Sequence, residues 1–393
     1  MVVKNRTLSF KHLFSLSLNA DPERLHFAAH SHHLWPDASF EGQQQCWRDA
    51  AKLADGKWDK IMGQVWPEAQ AHVARELSTS TPECIVFAPN THNLLVSLAA
   101  AVPRAGKRLR ILTSGGEFHS ARRQFARWVE ADGVVVTEIP PEPFESFSGR
   151  FLEAAATGNH DLIFVSQVLF GSGRLFSGVE ELAALGRPEG PWVAIDGYHA
   201  FMAIAQPFSP AAAASAFYLG GGYKYAMAGE GCGFMHAPPA FGPRPPITGW
   251  YAEFEDLQLP PGQVGYAPDA ARFLGATFDP SSLYRFNAVQ RMLLEHDLDT
   301  HRISSHVVDL QTHFVERTQI TALGGAELLN PIHDGPHARF LSFRDQRAQQ
   351  WCDELKRHKC VTDVRGDVLR IGFGLYHDHG DVDQLSVLAE ALR

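Results

Sequence analysis

The stretch Ala216-Phe217-Tyr218-Leu219-Gly220-Gly221-Gly222-Tyr223-Lys224-Tyr225, with Gly229, Gly231 and Gly233 behind it, decides how the 393 residues are read. A short apolar run stops at three glycines, presents one lysine between two tyrosines, and re-enters an apolar segment at Phe234-Met235. Lysine ordinarily lies at the surface, so a lysine on a glycine-rich turn between two apolar runs has two readings. Either the turn lets it reach solvent, or burial lowers its pKa until the amine is nucleophilic.

The deciding residues lie upstream. Val193-Ala194-Ile195-Asp196 reads as a buried strand ending in a carboxylate, and His199 follows three residues later. Enzymes that use pyridoxal phosphate (PLP) need an acid at the pyridinium nitrogen to keep it protonated and a lysine to carry the cofactor. A strand-end aspartate followed by a lysine on a glycine turn supplies both, and the pair is more specific than either part.

Around this pair the chain alternates. Apolar strand candidates are Cys84-Phe87, Leu109-Leu112, Val134-Ile139, Leu162-Val165, Trp192-Ile195, Phe217-Leu219 and Gly233-Met235. Amphipathic segments at Asn93-Val102, Ser120-Ala131, Phe151-Ala156 and Val179-Leu185 separate several of them. Such alternation predicts an α/β fold with a mainly parallel seven-stranded sheet covered on both faces. Ligands of such sheets bind beyond the carboxyl ends of the strands. Asn90-Thr91, Glu117-Phe118-His119, Ser166-Gln167, Asp196 and Lys224 would all fall there.

Asn90-Thr91-His92-Asn93 opens a helix, where free N–H groups and a hydroxyl make a cup for phosphate; an ordinary Asn or Thr N-cap is the other reading. Phe118 is either a ring that stacks on a cofactor or a core residue. Four histidines occur in the eight residues His26 to His33, but no carboxylate or cysteine completes a ligand set, so no metal is expected there. The loop reads as a polar border to a pocket.

The outer regions complete the plan. Residues 1–50 form an entry arm and first helix that join a small domain, residues 51–280 the large domain, and residues 281–393 a smaller α+β C-terminal domain. The connector Pro238-Pro239-Ala240-Phe241-Gly242-Pro243-Arg244-Pro245-Pro246 is semi-rigid. Arg370 lies inside the apolar run Leu369-Arg370-Ile371-Gly372-Phe373. An arginine there needs an anion, either a substrate carboxylate or a structural salt-bridge partner.

Composition limits the function classes. With 45% hydrophobic and 20% charged residues the chain is ordinarily globular. A net charge of −9 without a basic stripe speaks against nucleic acid. Five scattered cysteines without a CxxC pair suit a reducing cytoplasm. The longest apolar run, Leu94 to Val102, is too short to span a bilayer, and no signal peptide is read.

Taken together, these motifs resemble a PLP enzyme of fold type I, with the aspartate-aminotransferase-like fold, in the class V aminotransferase group, and within it kynureninase. The resemblance is carried by Tyr223-Lys224-Tyr225 with Gly229-Glu230-Gly231, by Asp196 and His199, and by Thr91 and Asn93. It is carried further by Phe118-His119-Ser120-Ala121, Gly249-Trp250, and Arg370-Ile371-Gly372-Phe373-Gly374-Leu375-Tyr376. It implies a catalytic set of Lys224, Asp196 and Tyr223. It implies cofactor contacts from Asn90, Thr91, Phe118, Ser120, His199, Trp250 and Thr277, the last from a second subunit. Substrate contacts would come from Arg370, His32 and His33. A homodimer acting on a small amino acid is implied, hydrolysing kynurenine or 3-hydroxykynurenine to an anthranilate and alanine. Ala29-His30-Ser31-His32-His33 stands where the family has Gly-Asn-Ser-Leu-Gly, and Ala121 replaces an aspartate. Aminotransferase, cysteine desulfurase-like lyase and PLP binding without this chemistry are the alternatives.

Overall fold

The computed structural model describes residues 8–104, 108–253, 259–260, 262–332 and 335–393. Seven strands form the main sheet: β1 (Ile85–Ala88), β2 (Leu109–Ser114), β3 (Val134–Ile139), β4 (Leu162–Ser166), β5 (Trp192–Asp196), β6 (Ala216–Gly221) and β7 (Gly233–His236). Their spatial order is β1-β7-β6-β5-β4-β2-β3. All run the same way except β7, which is antiparallel to both β1 and β6. The central strands β4 and β6 are buried along their whole length, as continuous apolar runs with helices on both faces require. Edge strand β3 buries only Val134.

Most helices fall within a residue or two of the sequence expectation. The helix expected at Phe151-Ala156 instead runs from Phe144 to Thr157, entered from Pro143. Its core stripe is Phe147, Phe151 and Ala155 at spacings of four, and Gly149 with the flanking serines hides its first half in the sequence.

Two apolar cores divide the molecule. The larger packs on the seven-stranded sheet and includes Leu283, Phe286, Val289, Leu293 and Ile303, so the helix Ser281–Glu295, which lies against the helix Asp37–Leu53, contributes to it. The smaller core takes Phe27 and residues from Val307 onward and fills the space between a four-stranded antiparallel sheet and three helices. Those strands lie in the order Asp363–Arg365, Val368–Gly372, Phe340–Arg344, Glu327–Leu328. The helices are Thr300–Thr318, Ala348–Arg357 and His379–Glu390. The entry arm joins this part: Leu25–His26 pairs in parallel with Cys360–Val361, and Phe27 is buried in the smaller core. No helix among the described residues is long and apolar enough to cross a membrane.

Candidate active site

Because only β7 is reversed, the carboxyl ends of β1, β2, β4, β5 and β6 open on one edge of the sheet. A cavity of about 620 Å³ lies there, walled by the loop at His30-Ser31 and by Arg365 and Arg370 of the smaller sheet. Such a volume is ample for a cofactor with a small substrate.

Lys224 sits on its floor. The turn after β6 closes on itself, with Gly222 N–H donating to Cys232 O (2.7 Å) and Ala228 N–H to Gly222 O (2.7 Å). Helix Ser281–Glu295 clamps it from below, where Arg285 donates to the carbonyls of Ala228 and Glu230. The lysine is therefore held by backbone and buried, with Nζ 2.6 Å from His199 Nε2. Burial, with repulsion from Arg370, pushes the amine down to about 7, against the pull of Asp196. His199 is also held far below its ordinary value, by burial and then by Lys224 and Arg370. Its neutral ring shares a hydrogen bond with the amine through Nε2, and Nδ1 has no hydrogen-bond partner among the described residues.

Asp196 ends β5 and borders the same cavity. Burial raises its carboxyl, while the N–H of Tyr198 (3.0 Å from Oδ1) and the charge of Lys224 oppose the rise. A positively charged ring nitrogen in the cavity would satisfy it. Behind it, Glu117 is locked by the hydroxyl of Ser114 and by Ser166 through N–H (3.1 Å) and hydroxyl (2.5 Å). Burial lifts Glu117 to about 7.

Two helix starts line the cavity. Asn90 caps the helix Thr91–Ala101 by accepting from Asn93 N–H (2.9 Å), so the amides of Thr91 and His92 stay free. Ser120 lies in the first turn of His119–Glu130, whose N-cap offers no side-chain bond. With Tyr223 lining the same cavity, they offer the donors of an anion cup. A lysine amine with a lowered pKa, an acid for a ring nitrogen, an anion cup and the Phe118 ring 5.6 Å from Nζ match the parts of PLP one by one.

The substrate end is built on Arg370. Its guanidinium donates to Asp363 Oδ1 from Nε (2.8 Å) and Nη2 (2.5 Å), and to Phe170 O from Nη1 (2.7 Å). It lies 4.3 Å from the centre of the Phe170 ring. Burial still holds Arg370 below its ordinary pKa despite Asp363, so the cation is undercompensated and an incoming carboxylate is favoured. The arginine thus has a structural partner and, by donor count, N–H groups to spare.

Other expected residues fall elsewhere. The chain reverses at Ala28-Ser31, and it is His30 that borders the cavity. Its ring is stacked on Phe340 (4.9 Å), Nε2 lies 4.0 Å from Asp363 Oδ1, and burial lowers it to about 3. His32 reaches the Tyr223 hydroxyl (3.1 Å) without lining the cavity, and His33 is packed against Phe14 and Tyr376. Trp250 is 44% exposed against Tyr251, and Thr277 lines a separate cavity that shares only His92 with the first. Neither reaches Lys224 within one chain. Sequence reasoning missed Phe170, Tyr198, Asp363 and Arg365. For Asp363 a signal exists: the two-residue Gly366-Asp367 turn sets a hairpin that places it opposite Arg370.

The model of the family described as aminotransferase class-V matches residues 57–385. The chain is similar to isopenicillin N epimerase of Amycolatopsis lactamdurans, 28% identical over 386 residues, 87% of this chain and 89% of that one. It is also similar to a kynureninase of Geobacillus thermodenitrificans, 24% identical over 248 residues; that match takes in 61% of this chain but only 57% of the relative's length. Among solved structures, a C-DES mutant with glycine covalently linked to its PLP cofactor aligns at TM-score 0.78 and 15% identity, covering 98% of this chain and 100% of that one. A cysteine desulfurase from Thermococcus onnurineus aligns at TM-score 0.78 and 18% identity, covering 98% and 99%. At these identities the structures establish the shared fold.

Proposed function

We propose a reaction for a chain that belongs to the class V aminotransferase family, has the fold-type I α/β architecture and takes pyridoxal phosphate as its cofactor: hydrolysis of kynurenine or 3-hydroxykynurenine to an anthranilate and alanine, by a cytoplasmic homodimer. The observation that carries this reading is the wall beside Arg370. Phe170 offers an aromatic face there, between Arg370 (4.3 Å) and the Phe118 ring (5.1 Å), with neutral His30 alongside. An aryl side chain finds a stacking surface and a hydrogen-bonding group in that place. The motifs at Tyr223-Lys224-Tyr225 and Arg370 to Tyr376 support the same choice.

A desulfurase acting through its own thiol fits less well. None of the described cavity-lining residues is a cysteine, and burial pushes Cys232 and Cys360 up to about 12.

When bound, the cofactor supplies an electron sink for charge developing at the substrate α-carbon. The chain's own groups do the rest. Arg370 holds the α-carboxylate, Asp196 keeps the ring nitrogen charged, and the anion cup fixes the phosphate. Lys224, its amine pushed down to about 7, takes the α-proton in its neutral form, and His199 shares a hydrogen bond with that amine. His30 orients the aryl substituent, so the 3-hydroxy substrate is preferred.

Racemisation is the competing reaction, because the epimerase match spans nearly the whole chain. One incubation in deuterated buffer with each L-kynurenine separates the outcomes. Anthranilate with alanine is expected. Inverted, α-deuterated substrate without anthranilate would move the assignment to epimerisation, and amination of an added keto acid would move it to transamination.

A further inference from the structure

We propose that Tyr198 is the second aromatic wall of the cofactor site, facing Phe118 across Lys224 and holding the other face of the pyridine ring. The chain leaves β5 at Asp196 and turns at once, with Gly197 N–H donating to Leu219 O (2.8 Å) and Tyr198 N–H to Asp196 Oδ1 (3.0 Å). One short turn thereby aims three side chains at the lysine: the Asp196 carboxylate, the Tyr198 ring and the His199 imidazole. Lys224 Nζ lies 5.1 Å from the centre of the Tyr198 ring and 5.6 Å from that of Phe118. Both rings line the same cavity. A flat ring joined to Nζ through one carbon, with its nitrogen directed at Asp196, would have these two rings as its aromatic neighbours, and the proposal gives each of them one face.

The position of Tyr198 is built rather than accidental. A Cβ on Gly221 would lie 2.7 Å from the ring edge and hydroxyl of Tyr198, so the last residue of β6 must be glycine for the ring to occupy this place. The hydroxyl meets the backbone of Tyr223, next to the lysine itself, and burial pushes its pKa up, so it stays protonated. An anchored, uncharged ring with one face on the cavity is a stacking surface. The ring, not the hydroxyl, should therefore carry the effect.

The test uses no substrate, so it stands apart from the choice of reaction. Full-length apo-protein carrying Tyr198→Phe or Tyr198→Ala, with Phe118→Ala as the parallel for the opposite wall, is titrated with PLP. Two quantities are read: the dissociation constant, and the visible circular dichroism of the bound cofactor, which reports its held orientation. Tyr198→Phe should match wild type in both. Tyr198→Ala should bind about tenfold more weakly, the scale of one lost aromatic pair, and lose much of the dichroic band. If Tyr198→Ala fails to fold, Tyr198→Leu, which fills the volume without a π face, takes its place and should show the same losses. Wild-type affinity and an unchanged band in the folded Ala or Leu variant would overturn the proposal.

Discussion

Replacing Asp363 by asparagine tests how the substrate end of the site is held, and its effect can be worked from the structure. Asp363 faces Arg370 directly across the hairpin. Oδ1 accepts both bonds from Arg370, and Oδ2 lies 2.8 Å from Arg365 Nη2, so one carboxylate serves two guanidiniums. Burial alone would raise this carboxyl, but His30 and Arg370 outweigh it and hold it at about 2 instead of 3.8. That difference corresponds to about 2 kcal/mol in favour of the ionised native state. The variant also leaves Arg370, 1% exposed, without a countercharge, a situation that costs about 3–5 kcal/mol in buried pairs. Asparagine keeps one acceptor oxygen, which places the expected loss near the lower figure, about 3 kcal/mol.

Two measurements follow. Urea unfolding at pH 7 should show Asp363→Asn less stable by about 3 kcal/mol, and the gap to wild type should narrow by about 2 kcal/mol on acidification. The sign is fixed by the depressed pKa: the Asp363 contribution is complete above about pH 4 and is lost as pH falls through about 2. In the holoenzyme, Arg370 without its side-on anchor should bind the substrate carboxylate more loosely, seen as a raised KM with kcat changed less. An unfolding midpoint and a KM both equal to wild type would refute the account of Arg370 as a guanidinium oriented by Asp363.

Two further outcomes are expected from the floor of the site. Asp196→Asn should still bind PLP but lose turnover by about 100-fold or more, because an amide cannot keep the ring nitrogen charged; activity within a few-fold of wild type would assign that role to another acid. The Lys224 amine, held at about 7 in the fold against 10.5 in the free side chain, should capture PLP at a rate that rises through pH 7, and Lys224→Ala should fold yet yield no peptide labelled after borohydride. Because its native pKa is depressed, folding of the apo-protein releases a proton between about pH 7 and 10.5, so apo stability should rise across that window.

Which parts of this design were legible in the sequence follows from the range of the interactions that set them. The seven main-sheet strands could be read because each is a local apolar run, and the Asp196 and Lys224 pair because both residues end such runs. The histidine loop was legible only as a polar segment. Residue type points to a polar loop, but the reversal at Ala28-Ser31 chooses which imidazole faces inward, and it turns His30 to the cavity while burying His33 against Tyr376. Arg370 needed an anion on any reading; the choice between substrate and salt bridge looked exclusive from sequence, yet a guanidinium has donors enough for both. Its partner could have been found by counting back through the Gly366-Asp367 turn, which fixes the register of 363 with 370 before any tertiary contact exists. Tyr198 had no such local marker. Its place depends on the absent Cβ of Gly221 in a neighbouring strand, 23 residues away in sequence, so the glycine that looked like part of a lysine turn is also what admits an aromatic ring beside the lysine.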